Sequence, residues 1–273
     1  MKTACLVACL VLGAVGVSAQ APVPVPFEPR VGMPGKDVVW VPTSPELVEL
    51  MLDMADVTPD DFVMDLGSGD GRNIIAAARR GARGLGVEFN ADMVALSEQL
   101  AKEAGVADKA RFVQGDMYEA DLSPATVLAL YLLPVNLNRL APRFLELKPG
   151  TRIVVNTFAM DEWAPDERQE GTGTECQSWC EVLLWIVPAK VFGTWHMGDG
   201  ATLTLTQWYQ TVQGTLTAGG VSTPISSGRL RGEEIRFVAG GANYSGTVGG
   251  GTMQGMVRSG RGDATWTATR AAR

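Results

Sequence analysis

The segment Asp65-Leu66-Gly67-Ser68-Gly69-Asp70-Gly71 combines three alternate glycines with two acidic side chains. Glycine has no Cβ, so a backbone of this kind can turn sharply and lie directly against a ligand. Glu88 follows 17 residues after Gly71, and a carboxylate at that position can accept hydrogen bonds from both hydroxyls of a ribose. Together these residues predict a binding site for a small molecule that contains a nucleoside.

The charges in this segment indicate which kind of nucleoside would fit. Asp65 and Asp70 flank the glycines, where they would repel the pyrophosphate of a nicotinamide or flavin dinucleotide and attract a cationic sulfonium and ammonium. Dinucleotide sites usually read Gly-x-Gly-x-x-Gly, whereas Arg72 stands here in place of the third glycine. A glycine-rich turn with surface acids and no ligand is the remaining alternative.

Apolar runs alternate with helix-period segments from about residue 40 to 188, and this alternation positions the glycine-rich segment. Strand–helix alternation predicts an α/β domain with a mostly parallel, doubly wound sheet. Ligands of such sheets bind at the carboxyl ends of the strands, where the glycines, Glu88 and Asp116 are all expected. Strands are predicted over 62–66, 85–87, 111–113, 126–133, 152–158 and 183–187, and helices over 73–80, 92–104 and 136–147, the last one kinked or split at Pro142.

The segment 65–71, with Glu88 and Asp116 after it, resembles the class I S-adenosylmethionine-dependent methyltransferases over about residues 40 to 188. The resemblance implies a Rossmann-like methyltransferase fold with S-adenosyl-L-methionine as the cofactor. It implies that Glu88 binds the ribose, and that Asp116 faces the adenine amino group. The further cofactor residues that it implies are Asp65, Gly67, Ser68, Gly69 and Gly71 at the methionine end and Phe89 and Met117 beside the adenine. Residues 65–72 also resemble a subgroup of small protein-lysine methyltransferases.

The fourth strand ends in Tyr131-Leu132-Leu133-Pro134-Val135-Asn136, where an acceptor is expected to bind. Tyr131 is a candidate for orienting the acceptor or a residue packed under a helix, and Asn136 is a candidate acceptor ligand or a helix N-cap. The segment is not the Asn-Pro-Pro-Tyr type of many nucleic-acid methyltransferases, which argues against a nucleic-acid acceptor. We expect methyl transfer to a nitrogen or oxygen nucleophile of a protein or small molecule, a reaction that depends mainly on positioning.

The composition excludes several classes of protein. A formal net charge of −7, with 46% hydrophobic and 19% charged residues, does not fit a disordered tail or a basic nucleic-acid binder. The single histidine, His196, argues against histidine metal cages and histidine-dependent triads. No metal site is therefore predicted, and His196 is expected on the surface of a strand.

Residues 1–19 have the pattern of a cleaved signal peptide. Lys2 precedes an uncharged run over residues 4–17, and Val17-Ser18-Ala19 provides small residues at a cleavage site. The run is shorter than the roughly 20 residues of a spanning helix, so we expect an exported chain, periplasmic or secreted, with no integral membrane span. Residues 20–39 read as an extended, weakly ordered proline-rich leader. In an exported protein, Cys176 and Cys180 are either a short disulfide or two free thiols.

The rest of the chain divides into a methyltransferase-like domain over 40–197 and a Gly/Thr-rich antiparallel β domain over 198–273. A strand over 190–195 is expected to complete the first sheet, and Trp163, Trp179, Trp185 and Trp195 would line the acceptor or fill the junction of the units. Residues 20–188 carry 14 basic and 26 acidic side chains (−12), and residues 189–273 carry 8 and 4 (+4), so opposite charges could dock the two units. The alternative function is a non-catalytic exported protein that engages an envelope partner through its β unit. The oligomeric state stays open.

Overall fold

The computed structural model describes residues 27–171 and 180–272, which form two separate sheets. The first is a seven-stranded sheet in the order β3-β2-β1-β4-β5-β7-β6, and the second is a closed barrel of eight strands, β8 to β15. The helices are α1 (Pro45–Met54), α2 (Arg72–Arg79), α3 (Ala91–Glu103) and α4 (Pro134–Phe144). The strands of the first sheet are β1 (Phe62–Leu66), β2 (Arg83–Glu88), β3 (Ala110–Gln114), β4 (Val127–Leu130), β5 (Arg152–Asn156), β6 (Glu167–Glu170) and β7 (Glu181–Ile186). Those of the barrel are β8 (Gly193–Met197), β9 (Thr202–Trp208), β10 (Thr211–Ala218), β11 (Val221–Arg231), β12 (Glu234–Ala239), β13 (Ala242–Gly249), β14 (Thr252–Ser259) and β15 (Gly262–Arg270).

The first sheet confirms the predicted α/β fold. Strands β1 to β5 pair in parallel, and every residue of β4 is buried because helices cover both faces of the sheet. Helix α4 runs from Pro134 to Phe144 with Pro142 inside it, so of the two predicted outcomes, a kink or a split, the split is wrong. In the described ranges, no helix has the length and apolar character needed to cross a membrane.

Strand β7 brings the chain to the end of the sheet where the parallel strands begin, which is opposite to the end that carries the glycine-rich loop. It pairs antiparallel with β5, from Val182 opposite Asn156 to Ile186 opposite Arg152. It therefore ends at the amino end of β5, whereas the loop after β1 lies at the carboxyl ends of the parallel strands. The barrel begins at the amino ends of the parallel strands, where the Ala189 N–H donates to the carbonyl of Gly232 at 2.8 Å.

The barrel is an up-and-down arrangement in which each strand pairs with its neighbour in sequence and β15 closes onto β8. Alternate residues point inward, and Trp195, Phe237 and Trp266 are among the large side chains that fill the interior. The strand expected over 190–195 as the end of the first sheet is β8, which pairs with β9 and β15 instead. The two sheets are therefore divided before Gly193 rather than after residue 197. His196 is exposed on β8, as predicted.

Aromatic stacking and ion pairs join the two sheets. The Trp163 ring stacks on that of Tyr209, with centroids 5.5 Å apart, so this tryptophan fills the junction, whereas Trp179 lies outside the described residues. The Arg229 guanidinium pairs with Asp166 at 2.8 Å, and Arg231 pairs with Glu167. These pairs have the charge complementarity that the two halves of the sequence predicted.

Candidate active site

A cavity opens at the carboxyl ends of β1, β2 and β3. This is the place at which open α/β sheets bind their ligands. The loops that follow those three strands form one wall of the cavity, Tyr131 after β4 forms part of another, and residues 33–43 form a third. The predicted cofactor residues that line it are Asp65, Gly67, Ser68, Gly69, Glu88, Phe89, Asp116 and Met117.

The loop between β1 and α2 requires its glycines for two different reasons. Gly67 and Gly69 have φ of 76° and 54°, and both line the cavity, so they give a ligand access to the backbone. Gly71, with φ of 81°, is not among the lining residues. A Cβ at Gly71 would lie 2.5 Å from the ring of Phe112, so its role is close packing beneath the loop rather than ligand contact.

Asp65 is a buried acid at the floor of the cavity. Only 4% of its surface is exposed, and its Oδ2 accepts a hydrogen bond from Asn73 Nδ2 at 3.0 Å. Burial, with added repulsion from Glu88 and Asp70, raises the pKa of Asp65 to about 8, against the opposing effect of the Asn73 hydrogen bond. A cationic group beside this carboxyl would favour its ionised form.

Glu88 connects the loop after β1 to the loop after β2 by hydrogen bonds. Its Oε2 accepts the Gly69 N–H at 3.0 Å, and its Oε1 accepts the Asn90 N–H at 2.9 Å. These bonds fix the carboxylate at the carboxyl end of β2 with further lone pairs available to a ligand. The position suits the ribose role that the family resemblance implies.

The carboxylate of Asp70 is paired with a guanidinium. Its Oδ1 accepts a hydrogen bond from Arg72 Nε at 2.9 Å, and its Oδ2 pairs with the other end of the same guanidinium. Arg72 also donates to the carbonyl of Thr43. The Arg72 guanidinium therefore offsets much of the charge with which Asp70 was expected to repel a pyrophosphate, and Asp65 and Glu88 are the main acids that favour a cation.

The far end of the cavity combines an exposed ring with a third acid. Phe89 is 51% exposed, and Met117 is buried. Asp116 Oδ1 accepts the Tyr118 N–H at 2.9 Å, and the carboxylate pairs with Lys36. The hydrogen bond from Lys36, followed by that from the Tyr118 backbone, lowers the pKa of Asp116 below its ordinary value.

Residues 32–40 form a hairpin over the cavity, so this part of the leader expected over 20–39 is ordered, whereas residues 20–26 lie outside the described residues. The Trp40 N–H donates to the carbonyl of Met33 at 2.9 Å, and Pro34 forms a bridge with Val39. Trp40 lies against the glycine loop, since a Cβ at Gly69 would be 2.7 Å from its Nε1. Sequence reasoning missed this wall because its contacts are with residues about 30 or more positions away.

The acceptor candidates separate in the structure. Tyr131 lines the cavity and stacks on Phe158, with ring centroids 6.1 Å apart. Burial raises its pKa above the ordinary value. Asn136 is buried and donates from Nδ2 to Tyr118 Oη at 2.7 Å; it is not among the cavity-lining residues, and the N-cap of α4 is Leu133 instead.

The cavity fits the sulfonium donor in its charges and in its unpaired atoms. Asp65 carries a raised pKa that a cation would relieve. Asn73 Oδ1 is buried with no hydrogen-bond partner among the described residues, and Asn73 lines the cavity. Ser68 Oγ is also unpaired there, but its side chain packs against Gly86, so Ser68 can offer the donor only its backbone. Fold and site together define a class I S-adenosylmethionine-dependent methyltransferase.

Comparisons with known proteins agree with this class. The model of the ANTKMT methyltransferase domain matches residues 65–167. A protein-lysine N-methyltransferase of Saccharolobus islandicus is 41% identical over 134 residues, which cover 48% of this chain and 83% of that protein. The adenine nucleotide translocase lysine N-methyltransferase of Mus musculus is 32% identical over 130 residues, which cover 47% of this chain and 56% of that protein.

A solved structure extends the agreement to the cofactor. The crystal structure of an RNA methyltransferase from Salinibacter ruber in complex with S-adenosyl-L-homocysteine is 47% identical, with a TM-score of 0.52. It covers 55% of this chain and 96% of that chain. The chain belongs to the S-adenosylmethionine-dependent methyltransferase family and, within it, is similar to protein-lysine methyltransferases. Its cofactor is S-adenosyl-L-methionine. The chain spans little more than half of the length of the mouse relative.

Cys180 lies beside the sheet rather than in the cavity. Cys180 is disulfide-bonded and directly precedes β7, which begins at Glu181. Cys176, the partner that the spacing predicts, lies outside the described residues, so the pairing itself stays a prediction.

Proposed function

We propose that the protein transfers a methyl group from S-adenosylmethionine to the ε-amine of lysine in a protein acceptor. The observation that carries the proposal is the 41% identity to a protein-lysine N-methyltransferase along 83% of that protein's length. The bound donor supplies an electrophilic methyl group on a sulfonium. An amine acceptor needs a deprotonated nitrogen in line with that methyl group, and no side-chain nucleophile.

In the proposed placement, the donor lies along the three strand ends in chain order. Asp65 pairs with its ammonium, and the Gly67 and Gly69 backbone adjoins its methionine part. Glu88 accepts hydrogen bonds from the ribose hydroxyls, and Phe89 and Met117 contact the adenine. Asp116 accepts a hydrogen bond from the adenine amino group. All of these residues line one cavity, which supports the placement.

The acceptor side of this placement is apolar and aromatic. Tyr131 and Phe158 form a stacked pair that an uncharged alkyl chain of lysine can pass without losing hydrogen bonds. Thr157, between Asn156 and Phe158, has φ of 67°, an outlier for a β-branched residue of the kind that clusters at functional sites. Leu133 and Val135 are exposed at the start of α4, where a protein surface can contact them.

The charge of the catalytic unit favours a protein over a nucleic acid. The region from 20 to 188 carries a net charge of −12, and nucleic-acid binding depends on neutralising phosphates with Lys and Arg. The Salinibacter ruber protein is named an RNA methyltransferase, which makes RNA the competing acceptor. The non-catalytic alternative has no observation in its favour.

A labelled-donor assay tests the proposed acceptor. The full chain is incubated with methyl-labelled S-adenosylmethionine and a cell-envelope extract, treated in parallel with protease or ribonuclease. We expect the label in protease-sensitive material and, by mass spectrometry, as increments of about 14 Da on lysine side chains. Label in ribonuclease-sensitive material would favour the RNA acceptor, and no label with bound donor would favour the non-catalytic alternative.

A second experiment tests the donor placement. Glu88→Ala should weaken donor binding by about 1–3 kcal/mol, the scale of lost hydrogen bonds to a charged group. Glu98→Ala is the matched control, because Glu98 is exposed on α3 and away from the cavity. Unchanged affinity of the Glu88 variant would mean that the ribose lies elsewhere.

We also propose that the chain is exported and cleaved after Ala19. The proposal rests on the sequence pattern of residues 1–19, which lie outside the described residues. Intact-mass analysis of material from the cell exterior should find a chain that begins at Gln20. A mature chain that still carries residues 1–19 would contradict the proposal.

A further inference from the structure

The hairpin over the cavity, residues 32–40, carries a lysine in its turn. The Gly32 N–H donates to the Trp40 carbonyl at 2.9 Å, and the Gly35 N–H donates to the Val38 carbonyl at 3.0 Å. Lys36 lies between Gly35 and Val38 in the sequence. The turn therefore presents the Lys36 side chain to the cavity wall as part of an ordered backbone.

Lys36 contacts the two side chains that the proposed placement gives to the adenine. Its ammonium pairs with the Asp116 carboxylate, and its Nζ lies 5.2 Å from the centroid of the Phe89 ring. Both contacts attract a cation. Adenine needs the same carboxylate for its amino group and the same aromatic surface for its ring, so lysine and adenine compete for them.

The base of the hairpin is held separately from its turn. Trp40 lies against Gly69, and the Thr43 carbonyl accepts a hydrogen bond from Arg72. Asn156 Nδ2 also donates to Thr43 Oγ1 at 3.3 Å. None of these contacts involves Asp116 or Phe89, so the Lys36 side chain can leave Asp116 while the base stays in place.

We propose that Lys36 is an affinity-determining residue of the donor site, a latch that holds the hairpin on Asp116 and Phe89 until adenine displaces it. The inference rests on the donor placement proposed above. Contacts that exist only in the donor-free form stabilise that form. They therefore lower donor affinity by the same free energy. Removing the ammonium should therefore strengthen donor binding, although Lys36 lines the cavity.

The test is titration calorimetry of the full chain with S-adenosyl-L-homocysteine, a probe that cannot turn over. Lys36→Met keeps the aliphatic stem and removes the charge, and we expect its Kd to fall by about two- to five-fold, the modest scale of an exposed ion pair. Lys36→Arg keeps the pair and should bind no tighter than wild type. Lys102→Met, at an exposed lysine of α3, is the matched control and should leave Kd unchanged.

Salt provides a readout that a merely structural role would not move. At about 1 M salt the screening length falls to about 3 Å, so the difference in Kd between wild type and Lys36→Met should shrink towards zero. An unchanged Kd for Lys36→Met at low salt would overturn the latch. Weaker donor binding by this variant would also overturn it, because Lys36 would then be a ligand of the donor. Glu88→Ala separates the two failures, because an error in donor placement would leave its Kd unchanged as well.

Discussion

Asp65 should couple donor binding to the release of a proton. Its carboxyl is buried, and burial, with the negative charges of Glu88 and Asp70, raises its pKa to about 8. The Arg72 guanidinium already pairs with Asp70, so burial is the main cause. A donor ammonium placed beside Asp65 favours the carboxylate. Asp65 therefore enters the complex ionised, although it is mostly protonated in the donor-free protein at neutral pH.

The size of the effect follows from that pKa. At pH 6.5 a group with a pKa of about 8 is about 97% protonated, so binding should release close to one proton. Between pH 6 and pH 7 donor affinity should rise about ten-fold, or about 1.4 kcal/mol. The α-amino group of the donor has an ordinary pKa of about 7.7–8.0 and stays mostly protonated across this interval, so it changes the slope only slightly.

Calorimetric titration with S-adenosyl-L-homocysteine in two buffers of different ionisation enthalpy measures the released protons directly. Asp65→Asn should bind more weakly, release no proton and show no dependence of Kd on pH between 6 and 7. The reasoning is refuted if wild type releases no proton at pH 6.5, or if the Asn variant keeps the same slope. In either case Asp65 is not the group that meets the ammonium.

Three further predictions concern stability. Asp65→Asn should raise the melting temperature of the donor-free protein by a margin that grows from pH 5 to pH 8. In the wild type, the stability that comes from the raised pKa of Asp65 is complete below the ordinary value of 3.8 and is lost as pH rises towards about 8. A margin that is constant with pH would contradict this. Gly71→Ala should cost about 2–4 kcal/mol of unfolding free energy in urea, since its Cβ would meet Phe112, whereas Gly105→Ala, with positive φ and open space, should cost only about 1–2 kcal/mol. Tyr209→Ala should cost about 1–3 kcal/mol through the lost Trp163 stack and leave the Kd of the donor unchanged; a weakened Kd would mean that the junction shapes the site.

The donor half of the site was predictable because its information is local in the sequence. A glycine-rich turn directly after a buried strand must lie at the carboxyl end of that strand, and strand–helix alternation makes the neighbouring strands parallel. Glu88 and Asp116 follow the next two strands and consequently reach the same edge. The antiparallel β structure expected over 198–273 was likewise predictable, since period-2 alternation of the kind seen in residues 202–206 is read without tertiary context.

The parts that could not be predicted depend on contacts between distant segments. Nothing near Lys36 in the sequence indicates that it meets Asp116, 80 residues away. The strand β8 has the same local pattern whether it extends the first sheet or opens a barrel, and only its partners β9 and β15 decide between them. Asn136 was ambiguous because a polar residue near a helix start can cap, bind or be buried, and here Tyr118 determines the outcome.

The direction of β7 limits what the barrel can contribute to catalysis. Because β7 is antiparallel to β5, the chain leaves the first sheet at the amino ends of the parallel strands, and Gly232 of the barrel meets Gly150 there. Because β5 has five residues, the amino and carboxyl ends of the parallel strands are about 16 Å apart. Gly150 and Gly232 therefore lie at the end of the sheet away from the cavity. Under the proposed donor placement, Tyr131 and its stacking partner Phe158 are the residues expected to contact the acceptor. If the proposed protein acceptor is held by the barrel, it must span that distance to reach the cavity.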